Sequence, residues 1–178
     1  MRILTGAAVS GACALALLTA PVAQAGSRLV MLENGQTQKC LTIAGGRSTD
    51  NNVTALQFTC DNDPSRKWWL DDMFDGSFQI RNVQTNKCLT IAGGRSTENN
   101  VEALQFDCDN DPSRRWTLRQ VSGGNFKVKN VQTQKCLTIA GGVSTENNVT
   151  ALQFDCDSHP SRAWRVMFVG GGHPIDDN

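Results

Sequence analysis

Six cysteines carry the clearest chemistry in the sequence. Cys40, Cys60, Cys88, Cys108, Cys136 and Cys156 fall at spacings that alternate 20 and 28 without exception. Paired thiols either oxidise to disulfides or ligate a soft metal. Zinc sites usually bring two cysteines within two to four residues of each other and complete the set with histidine. This chain has no C-x2-C after the first 25 residues, and its two histidines are His159 and His173. Six cysteines permit many connectivities, but pairing Cys40 with Cys60, Cys88 with Cys108 and Cys136 with Cys156 alone repeats the same bond at every recurrence of the pattern. Each bond closes a loop of about twenty residues, which stabilises by about 3 kcal/mol in the chain-entropy model. The reading is disulfides, with no metal and no cofactor.

A second recurring set places an aromatic ring beside a hydroxyl. If the two cysteines of a pair face each other across antiparallel strands, two steps along each strand set Thr42 opposite Phe58, Thr90 opposite Phe106 and Thr138 opposite Phe154. Leu41 and Ile43 then point to the other face. An aromatic ring beside small polar groups is a platform for the apolar face of a sugar ring, and three copies would suit multivalent capture. Phe58 reads equally as a core residue, because Leu56 shares its face, and threonine suits a strand on propensity alone. Both readings stand at this point. Asp61-Asn62-Asp63-Pro64 resembles a calcium loop but lacks its glycine and distal glutamate, so a capped turn is expected. Asn51-Asn52 is a turn pair that tolerates positive φ. A single active site on a repeated scaffold should break the repeat, and the deviations are few, among them Val143, Ser158, His159 and Ala163. His159 has neither a nucleophile nor a carboxylate partner among them, so no enzyme is expected.

These residues belong to a unit that recurs every 48 positions. CLTIAGGRSTDNNVTALQFTCDNDPSRKW from Cys40 aligns with CLTIAGGRSTENNVEALQFDCDNDPSRRW from Cys88 and CLTIAGGVSTENNVTALQFDCDSHPSRAW from Cys136, with 22 of 29 positions identical in all three. Recent duplication explains identity of this degree, so an invariant position is not thereby functional. The units span 29–76, 77–124 and 125–172. Apolar residues alternate within them, as in Phe78-Gln79-Ile80 and Leu89-Thr90-Ile91, and no helical period is sustained. Breakers such as Gly93-Gly94, Asn99-Asn100 and Asp111-Pro112 divide each unit into four short strands, near 77–84, 87–92, 103–108 and 114–120 in the second. One unit is too small to bury its own apolar face, and three share a core readily. Twelve strands in three equal sets predict an all-β fold, a β-trefoil of three pseudo-symmetric repeats with one disulfide each. A three-bladed propeller is the geometric rival.

The ends of the chain set its compartment. Arg2, an apolar run through Leu18 and the small-x-small site Ala23-Gln24-Ala25 read as a secretory signal at 1–25, cleaved after Ala25. The run is short for a membrane span, so no membrane insertion is expected. A single domain over 26–172 and a tail at 173–178 follow, in a secreted, extracellular protein where disulfides persist. Without Arg2 the chain carries 16 basic and 17 acidic residues with the signs interspersed. Nucleic acid demands a basic face and is not an expected partner.

Taken together, the cysteine-Leu-x-Ile unit, the Gly-x-Ser-Thr-x-Asn loop, the aromatic two residues before the second cysteine and the closing tryptophan, Trp68, Trp116 or Trp164, resemble the ricin B-type (R-type) lectin repeat. The resemblance covers all three units and implies a β-trefoil that binds carbohydrate. The family's Gln-x-Trp is here Arg66-Lys67-Trp68, Arg114-Arg115-Trp116 and Arg162-Ala163-Trp164. The resemblance places the sugar platform on Phe58, Phe106 and Phe154. It puts Thr42, Thr90 and Thr138 where the family holds galactose with an aspartate, and Leu56, Leu104 and Leu152 where it has a supporting glutamine. The family's Asn-Gln falls on Ser65-Arg66 and its equivalents. The expected ligand is thus a carbohydrate or surface glycan other than simple galactose. The alternative is a trefoil that no longer binds sugar and serves as a protein-interaction or targeting subunit of a secreted complex or toxin.

Overall fold

Short alternating runs punctuated by Gly, Asn and Asp-Pro fold into twelve strands in the computed structural model, which describes residues 26–170. The expected signal segment and the tail from 173 lie outside the described residues. The first unit supplies β1 (Arg28–Asn34), β2 (Cys40–Ile43), β3 (Ala55–Phe58) and β4 (Trp68–Asp72). The second supplies β5 (Phe78–Asn82), β6 (Cys88–Ile91), β7 (Ala103–Phe106) and β8 (Arg115–Gln120), and the third β9 (Phe126–Asn130), β10 (Cys136–Ile139), β11 (Val149–Phe154) and β12 (Trp164–Phe168). No helix among the described residues is long and apolar enough to cross a membrane.

The outer strands of each unit close into one six-stranded barrel. β1 pairs with β12 and β4, β9 joins β12 to β8, and β5 joins β8 back to β4, all antiparallel. Closure leaves the barrel no free edge. The inner hairpins β2–β3, β6–β7 and β10–β11 cap one end as a triangle, linked through β11–β3 pairing and the bridges Thr54–Leu104 and Glu102–Leu152. This is the β-trefoil, and a propeller's separate radial sheets are not present.

Three-fold repetition is visible in the core. Trp68, Trp116 and Trp164 are fully buried, together with Leu41, Leu89, Leu137 and Leu32, Ile80, Val128. A buried indole needs a partner for its N–H. Each Nε1 donates to the carbonyl of its own unit's leucine, at 3.0 Å to Leu41, 2.9 Å to Leu89 and 2.9 Å to Leu137.

The three disulfides join Cys40 to Cys60, Cys88 to Cys108 and Cys136 to Cys156, as the repeat requires. The register differs from the expectation by two residues. Cys40 lies opposite Phe58 and Thr42 opposite Leu56, with the same shift in the other units. The cause is that Cys60 sits beyond the end of β3, so the bond reaches back across the strand end. A shift of two preserves facing, and Thr42 and Phe58 still share a side of the sheet while Leu41 and Ile43 enter the core.

Buried amides lock one unit to the next. Gln57 is fully buried, accepts from the Thr37 hydroxyl at 2.7 Å and donates through Nε2 to the carbonyls of Ser144 (2.8 Å) and Glu146 (2.7 Å) in the third unit. Gln105 grips Ser48 and Asp50 of the first unit, and Gln153 grips Ser96 and Glu98 of the second. Asn82 donates to the Ser65 carbonyl of the unit before it, and Asn130 and Asn34 repeat that bond around the barrel. Gln57→Ala strips a hydroxyl and two carbonyls of their partner in a dry site, where each unmet group costs about 1–3 kcal/mol. The expected loss is about 2–4 kcal/mol, read from the urea midpoint, with the disulfides intact by mass spectrometry of the non-reduced chain.

Candidate functional site

The side of β2–β3 that carries Thr42 and Phe58 faces away from the barrel core. Over it folds the segment after the second cysteine, ending in a one-turn 3-10 helix, Pro64–Arg66. Proline fixes φ at the first helical position, and Asp63 caps the turn by accepting the Ser65 N–H at 2.9 Å. The expected capped turn is present, and so is the positive φ of the second asparagine of the turn pair at Asn52, Asn100 and Asn148.

Between this turn and the loop after β2 lies an open polar cavity of about 300 Å³, lined by Thr42, Gly46, Arg47, Phe58, Asp63 and Ser65 among others. A cavity of the same size stands in the second unit, with Thr90, Gly94, Arg95, Phe106, Asp111 and Ser113. The first also takes Gln84 from the second unit and Asn148 from the third, and the second takes Asn52 from the first. Neighbouring units therefore complete each rim.

Thr42 lies at the floor, 3% exposed, and its hydroxyl is directed at Ser65, 3.1 Å from the carbonyl and 3.2 Å from Oγ. Thr90 and Thr138 bond Ser113 and Ser161 in the same way. Gly46 passes close above that serine with φ +68°, and a Cβ there would stand 3.1 Å from Ser65 Oγ. Its glycine serves both the left-handed backbone and the close approach.

Phe58 is half-buried, and one face of its ring is taken. The Arg66 guanidinium lies 4.3 Å from the ring centroid, with Arg114 over Phe106 at 4.5 Å and Arg162 over Phe154 at 4.2 Å. Such a stack holds both groups rigid. Arg66 donates to Ser65 Oγ at 2.7 Å and lies 3.2 Å from Asp63 Oδ1. Its Nε is 3.4 Å from Asp61 without hydrogen-bond geometry, so that pairing is electrostatic alone. Phe58 is thus neither a core residue nor a bare platform; it is the wall of a pocket backed by a cation.

The Asp63 carboxyl is held below its ordinary value of 3.8 by the Ser65 hydroxyl, then by the Ser65 N–H, with Arg66 adding to both. Asp111 is lowered in the same manner, with Arg95 among the contributing charges. All the bonds accepted by Asp63 fall on Oδ1, which leaves Oδ2 at the pocket rim without a hydrogen-bond partner among the described residues.

In the third unit His159 takes the place of Asp63 and Val143 that of Arg47. His159 Nδ1 accepts the Ser161 N–H at 3.2 Å and lies 2.8 Å from Ser161 Oγ, so the turn is capped by imidazole. Sequence reasoning reaches Asp63 only as part of a capped turn, Arg66 only as the place of a family residue and Arg47 only in a loop, 47–52, that reads better as a turn than as a ligand contact. For Asp63 and Arg66 the signal is Asp-x-Asp-Pro-Ser-Arg, which stands before the closing tryptophan in the first two units. Among the described residues no three His, Cys, Asp or Glu side chains gather where a metal could be held.

Two expectations follow from this geometry. Phe58→Ala should cost about 1–2 kcal/mol, below the roughly 3–5 of Trp68→Ala, because the ring is half in solvent; chemical denaturation of the two variants ranks them. A carboxyl lowered in the folded state stabilises fully above its unfolded value, and that contribution drains away as pH falls through the folded one. Stability should therefore drop more steeply below pH 3.8 in the native chain than in Asp63→Asn/Asp111→Asn, as followed by urea midpoints on descending pH.

The model of a family described as ricin-type beta-trefoil lectin domain matches residues 76–171, and one described as ricin-type beta-trefoil lectin domain-like matches residues 19–106. No curated protein matches the sequence. Among solved structures the chain is similar to ThreeFoil, a designed three-fold symmetric protein, with 19% identity and a TM-score of 0.74 over 78% of this chain and 97% of that one. It is similar to the Rhizoctonia solani agglutinin at 14% identity and TM-score 0.71, over 84% of this chain and all of that one. An exo-beta-1,3-galactanase from Clostridium thermocellum aligns at 22% identity and TM-score 0.75 over 80% of this chain, which spans 30% of that enzyme. At these identities the likeness is one of fold.

Proposed function

The chain belongs to the ricin-type β-trefoil lectin domain family, and from that premise we propose that it is a secreted carbohydrate-binding module whose ligand is a surface or cell-wall glycan other than simple galactose. The observation that carries the reading is the repeated open pocket with a stacked phenylalanine wall and polar groups converging on one volume, the usual form of a small-ligand site. An apolar signal-like segment and three disulfides support export to an oxidising compartment.

Departure from galactose rests on the pocket floor. The position that carries the family's aspartate is Thr42, whose hydroxyl is bonded to Ser65, and the adjacent Leu56 adds no acceptor. The charge-assisted clamp on sugar hydroxyls is absent there. An ionised acceptor and a guanidinium donor instead line the cavity on Asp63 and Arg47.

A second reading, a protein-interaction subunit of a secreted complex or toxin, has its own observation. Leu29 lies opposite Trp69, Met31 opposite Met167, and Val169 donates to the Leu29 carbonyl, which forms an apolar stripe on the outer side of the barrel. The places of Met31 and Trp69 are held by Gln79 and Thr117 in the second unit and by Lys127 and Arg165 in the third. The stripe runs along the seam of the first and third units and has no counterpart at Gln79 and Thr117, and an apolar surface that breaks the repeat is a mark of contact.

Retention on insoluble chitin, xylan, β-1,3-glucan, bacterial peptidoglycan and galactose-agarose tests the proposal. The native chain should be held by at least one of the first four and pass through galactose-agarose, and Phe58→Ala/Phe106→Ala/Phe154→Ala should lose retention while still unfolding cooperatively. Tight, galactose-competable binding would place the ligand contacts elsewhere. Capture of a secretome protein that is lost in Trp69→Ser but kept in the triple phenylalanine variant would put the second reading first.

A further inference from the structure

Seven of the 29 aligned positions differ among the units, and two of the seven line the pocket: Arg47, Arg95 and Val143 at one, Asp63, Asp111 and His159 at the other. Both depart in the third unit and in no other. Differences away from the pocket are scattered, as with Thr59 in the first unit, Glu102 in the second and Ser158 in the third. We propose, building on the carbohydrate reading, that the chain is functionally bivalent: the Arg47–Asp63 and Arg95–Asp111 pairs are the specificity-determining contacts to ligand hydroxyls, and the third pocket is closed to the ligand.

Folding does not require either charged residue at these places. His159 has φ and ψ of −62° and 133°, against −61° and 134° for Asp63, and caps the same serine N–H. The carboxylates of the first two units thus exceed what the turn demands. Arg47 is exposed and has no ion pair among the described residues, so its guanidinium is free to donate. A donor with several N–H groups and an ionised acceptor lining one cavity match adjacent hydroxyls on a sugar ring, which offer both lone pairs and protons.

The equivalent place in the third unit differs in packing as well as charge. Its imidazole leans over Gly142, with Cε1 3.3 Å from where a Cβ would stand, whereas Gly46 and Gly94 have only the serine side chain within that reach. Gly142 is accordingly buried, and its two counterparts are half-exposed. In the place of Arg47, Val143 is 64% exposed and its side chain offers no hydrogen bond. The ligand meets an occupied floor and an apolar rim.

Exchanging the third unit's own residues into the others gives variants that the fold already accommodates. On the four matrices above, Arg47→Val/Asp63→His and Arg95→Val/Asp111→His should each weaken binding about tenfold or more, because loss of one site of two removes avidity. The combined quadruple variant should not be retained, and Val143→Arg/His159→Asp should bind more tightly than the native chain. Thermal unfolding of every variant confirms the fold. Unchanged retention of the quadruple variant, alongside loss in the triple phenylalanine variant, overturns the pairs as ligand contacts and leaves the carbohydrate reading standing. Retention of the native chain by none of the matrices overturns both.

Discussion

Everything in this structure hangs on a ring of buried glutamine side chains that crosses from unit to unit. Gln57 holds the loop of the third unit, Gln153 that of the second and Gln105 that of the first, each through two loop carbonyls. A buried amide left unpaired costs far more than a paired one contributes, so the ring is satisfied only when all three units are docked in order. Backbone bonds from Asn52, Asn100 and Asn148 to the same glutamine carbonyls tie the loops at a second point. The clamped loops are the ones that carry Arg47, Arg95 and Val143. Closure of the fold and placement of the pocket rim are therefore one event.

The pocket floor obeys the same logic. The Ser65 carbonyl takes a bond from Thr42 of its own unit and another from Asn82 of the next. One repeat in isolation could neither bury its tryptophan nor hold its serine, which is the physical reason a unit of this size occurs in threes. Thr42 and Ser65, which resemble a binding set, prove to be bonded to each other as the pocket floor, while asparagine and glutamine side chains are the mortar between units. The groups left over to meet a ligand are the ones just above them.

That division explains what could be read from sequence. The period of 48, the strand alternation and the recurring cysteines specify twelve strands and three local disulfides, because exact repetition leaves one pairing that treats the units alike. The register differs by two because the second cysteine reads as a strand residue in the sequence, while it lies past the strand end and bonds back. Parity survived the slip, so Thr42 and Phe58 were rightly placed on one side. Arg66 was not legible as the partner of Phe58, since the contact spans a disulfide and a 3-10 turn and follows no strand or helix period. Gln57 sits in plain view in every unit, but a glutamine in a strand gives no sign that it is fully buried until the neighbouring loop is known.

Conserved interlock and variable rim are stacked one above the other, and this order governs how the units can diverge. Substitution at Gln57 or Asn82 breaks bonds shared between units and threatens the whole barrel. Substitution at positions 47 and 63 touches an exposed guanidinium and contacts within a single turn, and His159 shows that the cap bond survives the change. Near-identical repeats are held alike by folding wherever they interlock, so a difference confined to the rim has no folding purpose to serve. Such a rim can drift in one unit while the other two are kept, and the pattern of Arg and Asp in two units against Val and His in the third is what selection acting on the pocket, rather than on the fold, would leave behind.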